Sequence, residues 1–237
     1  HAGELAWQFT QAAPLLGHEK MLHYSVLAGQ LALRTSAFAE AIQHFDNVRS
    51  ALAPESDRIE LAHAWLGIAR ARMTAESKWG SDLGSQQIYE GLTIAFEIFI
   101  AHGETDMALE VASQGIFGDP GWRSHTELSE RALEFINESS ATTARLLTRH
   151  ADVLWSIESR REEAFELFDQ AFEMAGKYGD IATQVRSLRI RAQCRLREYE
   201  YDRVIALRDE ALKFQLVPSS AKVDLGLLHL NTSLAEG

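Results

Sequence analysis

Apolar residues recur along this chain at the three-and-four spacing of a single helix face, and one arrangement of them returns four times. A small residue is followed four positions later by an apolar one, and three further on by another small one. Ala41, Phe45, Val48 and Ala164, Phe168, Ala171 are the clearest copies, while Ala108, Ala112, Gly115 and Val204, Arg208, Ala211 are weaker. In three segments the neighbouring or opening helix carries Ala28-Gly29, Leu66-Gly67 or Leu225-Gly226, where a glycine lets a second helix approach closely. The pattern predicts an all-α chain of antiparallel helix pairs, stacked as an α-solenoid that coils into a right-handed superhelix. A single repeat domain over 1–237 is expected, with an irregular section at about 78–127.

The individual helices follow from where the periodicity starts and stops. A first helix is expected from Glu4 to Ala13, ended by Pro14, then a pair at Glu19 to Arg34 and Phe38 to Ala53, closed by Pro54. Asp57 to Ala75 places Leu61, Ala64, Trp65, Ile68 and Ala69 on one face. Lys78 to Ser85 holds Gly80, Ser81, Asp82, Gly84 and Ser85 and reads as a loop before a helix from about Gln86 to His102, capped by Gly103. Asp106 to Gly115 is a shorter helix, and Gly118-Asp-Pro-Gly-Trp122 is the strongest turn signal in the chain. Further helices are predicted at about His125 to Asn137, Thr142 to Ser156, Glu162 to Tyr178, Ile181 to Arg197, Asp202 to Phe214 and Ser219 to Ala235. At Tyr178-Gly179-Asp180 the glycine ends one helix and the aspartate N-caps the next.

Composition supports helices and narrows function. Alanine occurs 33 times against 4 prolines, the balance of closely packed helices. The formal charge of −11 repels a phosphate backbone, so this segment is not expected to bind nucleic acid. Apolar runs such as Ile94 to Ala101 are interrupted by Glu97 and fall short of the roughly 20 residues a bilayer span needs, so no membrane partner is expected. The lone Cys194 can form no internal disulfide. No initiator Met or secretory signal is visible, and Gly237 falls inside what reads as a next helix pair, so the chain is expected to be a piece of a longer, cytoplasmic protein. Asn137-Glu-Ser and Asn231-Thr-Ser match the glycosylation acceptor only by a loose three-residue pattern.

Catalytic hardware is scarce. His18 and His23 nearly match a zinc-protease helix, but five residues rotate the second by about 500° from the first, so the two diverge and no metal site is expected. Phosphate-binding glycine loops and the nucleophilic serine elbow do not occur, and no cofactor is expected. Cys194 reads as a structural thiol, and Glu158, Glu162 and Glu163 as helix-start carboxylates stabilised by the backbone dipole. Two features remain. Arg186, Arg189, Arg191, Arg195 and Arg197 concentrate on one helix, with Arg149 at the matching stage of the preceding pair; Arg149, Arg186, Arg189 and Gln193 are the candidate site, facing the concave side and suited to an anionic ligand or acidic surface. The alternative is that they pair with neighbouring acidic helices or lie in solvent. Trp65, Trp79, Trp122 and Trp155 are the second feature, as packing residues or stacking platforms.

Leu-Gly with an alanine-rich partner helix resembles the tetratricopeptide repeat, although the 40 residues from Ala164 to Val204 exceed the 34 of that unit. The stretch Leu5-Ala-Trp-Gln-Phe-Thr-Gln-Ala-Ala, Leu16-Gly-His-Glu-Lys, Tyr24-Ser, Ala28-Gly29 and Ala41-Ile-Gln-His-Phe45 resembles the helical region after the ATPase core in bacterial multidomain signal-transduction ATPases. That class includes transcription regulators built like the maltotriose-responsive activator, and cyclase-linked relatives. Ala164-Phe-Glu-Leu-Phe168 and Ala175-Gly-Lys-Tyr-Gly-Asp180 continue the likeness. His63 and Arg70 stand where the repeat favours Trp and Tyr, Arg208 replaces its aromatic, and 78–127 fits it poorly. The resemblance implies a non-catalytic sensor or regulatory arm that binds a protein, a peptide or a small anionic ligand, or other domains of its parent protein. A scaffold without a small-molecule ligand is the alternative, and an α-helical enzyme the remote one.

Overall fold

The computed structural model describes residues 3–5, 7–8, 11, 18–75, 82–114, 122–136, 138–214, 217–218 and 221–236, with side chains for all of these except 73–75, 82–85, 122–126, 158 and 236. Among the described residues there are helices and turns and no strand. Of the first expected helix, residues 4–5, 7–8 and 11 are described, all helical. Gly118 to Gly121, Gly115, Asn137 and the side chains of Trp79 and Trp122 lie outside what is described.

The helices are α1 (Glu19–Arg34), α2 (Phe38–Ala51), α3 (Ile59–Ala75), α4 (Asp82–Ala101), α5 (Thr105–Ala112), α6 (Trp122–Leu133), α7 (Ala141–Trp155), α8 (Arg161–Lys177), α9 (Ile181–Arg197), α10 (Tyr201–Ala211) and α11 (Lys222–Glu236), with a 3-10 turn at Glu158–Arg160. Two boundaries differ from the sequence expectation for identifiable reasons. Helix α4 begins at Asp82, not near Gln86; a glycine inside a helix costs only about 1 kcal/mol, and the apolar stripe of Ile88, Leu92, Phe96 and Phe99 lets a long helix absorb Gly84. Helix α2 stops at Ala51, because Leu52 is already extended on approach to Pro54.

The chain clusters into two compact units, His1–Ser124 and His125–Gly237. In the first, α1 packs on α2, α2 on α3, α3 on α4 and α4 on α5, and α3 also reaches α1. Phe45 of α2 holds this arrangement together. Its ring is fully buried between α1 and α3, so close that a Cβ on Gly29 would lie 2.6 Å from it and one on Gly67 2.2 Å. The small-residue positions found in the sequence are therefore the seats of one aromatic ring. Trp65, half-buried, is seated in the same way against Gly91 of α4, where a Cβ would approach to 2.1 Å.

The second unit repeats the scheme: α7 packs on α8, α8 on α9, α9 on α10, and α11 covers both α9 and α10. Ala164, Phe168 and Ala171 are fully buried, with Ala151, Leu154, Trp155, Ile190 and Cys194 around Phe168. Two sequence expectations are corrected here. Gly226 admits no close neighbour, since α9 and α10 pack on the face bearing Asp224 and Leu228 and leave residue 226 exposed. In the fourth copy the residue entering the core is Leu207, one position before Arg208, with Val204 and Ala211 beside it.

One turn recurs four times within the units. Ser36, Gly103, Gly179 and Tyr199 each adopt a left-handed conformation, at φ 61°, 75°, 68° and 61°. After each, an N–H bonds back five residues (Ala37 to Ala32, Glu104 to Phe99, Asp180 to Ala175, Glu200 to Arg195), while the left-handed residue itself bonds back three. This pair of bonds is the Schellman ending of a helix.

Candidate functional site

Helix α7 starts where the Ser140 hydroxyl accepts the Thr143 N–H at 3.0 Å, and α9 where Asp180 Oδ1 accepts the Thr183 N–H at 3.1 Å. These caps set the register of two polar stripes, Thr142, Arg145, Arg149 and Asp152 on α7, and Arg186, Arg189, Gln193 and Arg197 on α9. Arg145 crosses from one helix to the other, pairing with the capping Asp180 at 3.2 Å.

The four expected site residues divide. Arg186, Arg189 and Gln193 come together. Arg189 is buried, with Nε 2.8 Å from Asp224 Oδ1 of α11 in an ion pair bent away from hydrogen-bond geometry, and its Nη1 donates to Gln193 Oε1 at 3.1 Å. Arg186, half-exposed, donates from Nε to the other oxygen of Asp224 at 3.4 Å. Arg149 stands on α7 and pairs within its own helix with Asp152 at 3.0 Å. Asp224 is thus a buried carboxylate clamped by two guanidiniums, and Arg189 holds α9 to α11. The remaining arginines of α9 are also engaged: Arg191 pairs with Asp169 at 2.8 Å, and Arg195 pairs with Glu198 and Glu200 at 3.1 and 2.7 Å while lying over the Phe165 ring. Arg197 lies over Trp155 instead. The partner that sequence reasoning missed, Asp224, carries its own signal: it occupies a buried stripe with Ala221, Leu228 and Thr232, where a lone carboxylate needs a cation.

In the first unit an open groove of about 650 Å³ is lined by Gln30, Leu33 and Arg34 of α1, Phe38 of α2, Arg70 of α3 and Glu110 of α5. Arg70 donates to Glu110 at 2.9 Å, so one wall of the groove is an ion pair between helices. Arg34 sits in the last turn of α1, is exposed, and has no carboxylate partner among the described residues. The groove escaped sequence reasoning because its residues come from four helices, although the 40 residues between Arg70 and Glu110 equal the spacing from Ala164 to Val204.

Other reactive groups are buried or paired. Ser129 Oγ and His150 Nδ1 lie 2.9 Å apart, but both residues are almost fully buried, and desolvation lowers the His150 pKa from its usual 6.5. His63, edge-on to Phe99, is lowered for the same reason. Burial pushes the Cys194 thiol well above its ordinary range, so it stays protonated and inert. Glu163 is lowered by its hydrogen bond from Arg160, which also reaches Glu130 at 2.8 Å. Among the described residues no group of three His, Cys, Asp or Glu side chains can hold a metal ion, and no helix is long and apolar enough to cross a membrane. The chain matches no family model and no curated protein.

Proposed function

We propose that this chain is a non-catalytic binding module of helix pairs, taking up an acidic peptide or small anionic ligand in the groove of its first unit. The observation that carries this reading is the groove itself. An unpaired guanidinium at Arg34 and the amide of Gln30 stand beside the apolar Leu33 and Phe38, which suits an acidic group next to a hydrophobic one. The Arg70–Glu110 pair sets the far wall and selects against ligands carrying a second acid there. The sequence resemblance extends the reading to a cytoplasmic regulatory or sensor arm of a bacterial signalling ATPase or transcription regulator.

The test is calorimetric titration of the purified chain with acidic–aliphatic peptides and with small carboxylate and phosphate ligands. Arg34→Ala is expected to weaken binding at least tenfold with the melting temperature nearly unchanged, since the side chain is exposed. Binding that is indifferent to Arg34, or no binding at all, removes the groove as the site. The finer role is tested by the genomic sequence beyond these residues, which should encode a phosphate-binding ATPase loop.

A scaffold reading is favoured by one other observation. Val223, Leu230 and Leu234 are exposed at helical spacing on α11, with Leu227 between them half-exposed, and an apolar stripe of this kind suits contact with a further helix.

A further inference from the structure

Among the described residues four arginines lie over aromatic rings, and two of them keep a carboxylate as well. Arg49, over Trp65 at 5.4 Å, pairs with Asp46, and Arg195, over Phe165 at 3.6 Å, pairs with Glu198 and Glu200. Trp155 is different. Arg161 and Arg197 lie 5.2 and 5.3 Å from its ring centre, and neither makes an ion pair or a side-chain hydrogen bond among the described residues. Two N–H donors at the same place, Trp155 Nε1 and Arg161 Nε, are buried with no acceptor. These two donors are sealed from solvent and do not themselves contact a ligand; the groups open to one are the two guanidiniums, whose contact among the described residues is the Trp155 ring.

The fold explains why both side chains reach one ring. Trp155 is the last residue of α7 and closes the core formed by Ala151, Phe168 and Cys194; Arg161 opens α8 and Arg197 ends α9. Arg161 is half-exposed and Arg197 exposed, so a ligand reaches them from solvent, while the buried indole holds both in place. In a chain of net charge −11, leaving two guanidiniums at one ring without a carboxylate among the described residues runs against the supply of acids.

We propose that Arg161 and Arg197, positioned by Trp155, form a binding site for a small oxyanion, a phosphate or carboxylate group. The site belongs to the second unit, whereas the groove belongs to the first. Guanidinium forks match both oxyanions, so the two are distinguished by experiment.

The test is titration of the full chain with inorganic phosphate and, separately, citrate, followed by the NMR signal of the Trp155 indole Nε1–H, assigned with Trp155→Phe. Sodium chloride at equal ionic strength is the control. A saturable shift with phosphate, citrate or both is expected, and which of them saturates names the oxyanion. The double variant R161Q/R197Q should lose at least tenfold in affinity, whereas R203Q, an exposed arginine on α10, should bind as the parent does. Should the double variant fail to fold, R197Q alone removes an exposed side chain and is expected to weaken binding at least threefold. A shift that is linear in concentration or reproduced by chloride overturns the site, as does unchanged binding by the folded double variant or, where that does not fold, by R197Q.

Discussion

Single residues decide how closely these helices approach. Because the Phe45 ring occupies the space a Cβ on Gly67 would need, at 2.2 Å, Gly67→Ala must displace the ring or part α2 from α3. A loss of about 1–3 kcal/mol in denaturant unfolding is expected, the usual effect of overpacking. Phe168→Ala, at a fully buried position, should cost about 3–5 kcal/mol. The polar interior makes a different demand. Asp224→Asn leaves the buried Arg189 without its counter-charge, so a loss on the order of 3–5 kcal/mol is expected, against near neutrality for Asp209→Asn on the exposed Arg208–Asp209 pair. Buried imidazoles set the response to acid. His150 and His63 both have folded pKa values below the ordinary 6.5, so the unfolded chain binds more protons just below that pH; their contribution is complete above about pH 6.5 and is lost as pH falls through it towards the folded values. The melting temperature should fall between pH 7.5 and 5.5, and less steeply in His150→Asn. The core was legible because Phe45 and Phe168 stand at a fixed interval from small residues. The arginine site was legible only as charge, since a guanidinium's partner 35 to 38 residues away, as in Arg145–Asp180 and Arg186–Asp224, leaves no local pattern.

At the scale of elements, the recurring unit is a helix ending as much as a helix. Gly103 and Gly179 were visible in the sequence as helix stops, and both take the left-handed conformation that glycine favours. Ser36 and Tyr199 do the same work without any glycine to announce them, which is why helix ends were harder to place than helix faces. The backbone bonds of the Schellman ending outweigh the roughly 1–2 kcal/mol that a side chain costs at positive φ. Ser36→Gly should therefore stabilise the chain by about 1 kcal/mol, read as a rise in the denaturant midpoint at unchanged slope. Gly179→Ala should destabilise it by a similar amount, although a Cβ there meets nothing within 4 Å, so the loss is conformational and not steric. Equal stability of Ser36→Gly and the parent would mean that the serine is unstrained. Where helices start was read best at polar caps: Asp180 does cap α9, whose bounds Ile181–Arg197 are those the sequence predicts.

At the scale of the whole chain, the contacts fall into two units, the first holding the cluster around Phe45 and the second the clusters around Phe168 and around Leu188 and Leu228. Among the described residues of each, helices pack on their neighbours in sequence and on the next one along, and if this pattern is that of a repeat array, stability is expected to be a sum of local terms. The consequence is testable with a variant that damages one unit alone. Phe168→Ala opens a cavity among α7, α8 and α9, within the second unit. If the units are energetically separate, native-state hydrogen exchange in this variant should lose protection in α7 to α9 by the full cost of the cavity, about 3–5 kcal/mol, while α1 to α4 keep parental rates. Gly67→Ala should give the mirror result, with protection lost around α2 and α3 and kept in α8 and α9. A uniform fall across all helices would show that the chain unfolds as one cooperative body, and a ligand in either unit would then stabilise both. Local loss would instead mean that the groove near Arg34 and the oxyanion site at Trp155 each stabilise their own unit, so that occupancy of each can be read from exchange in its own helices.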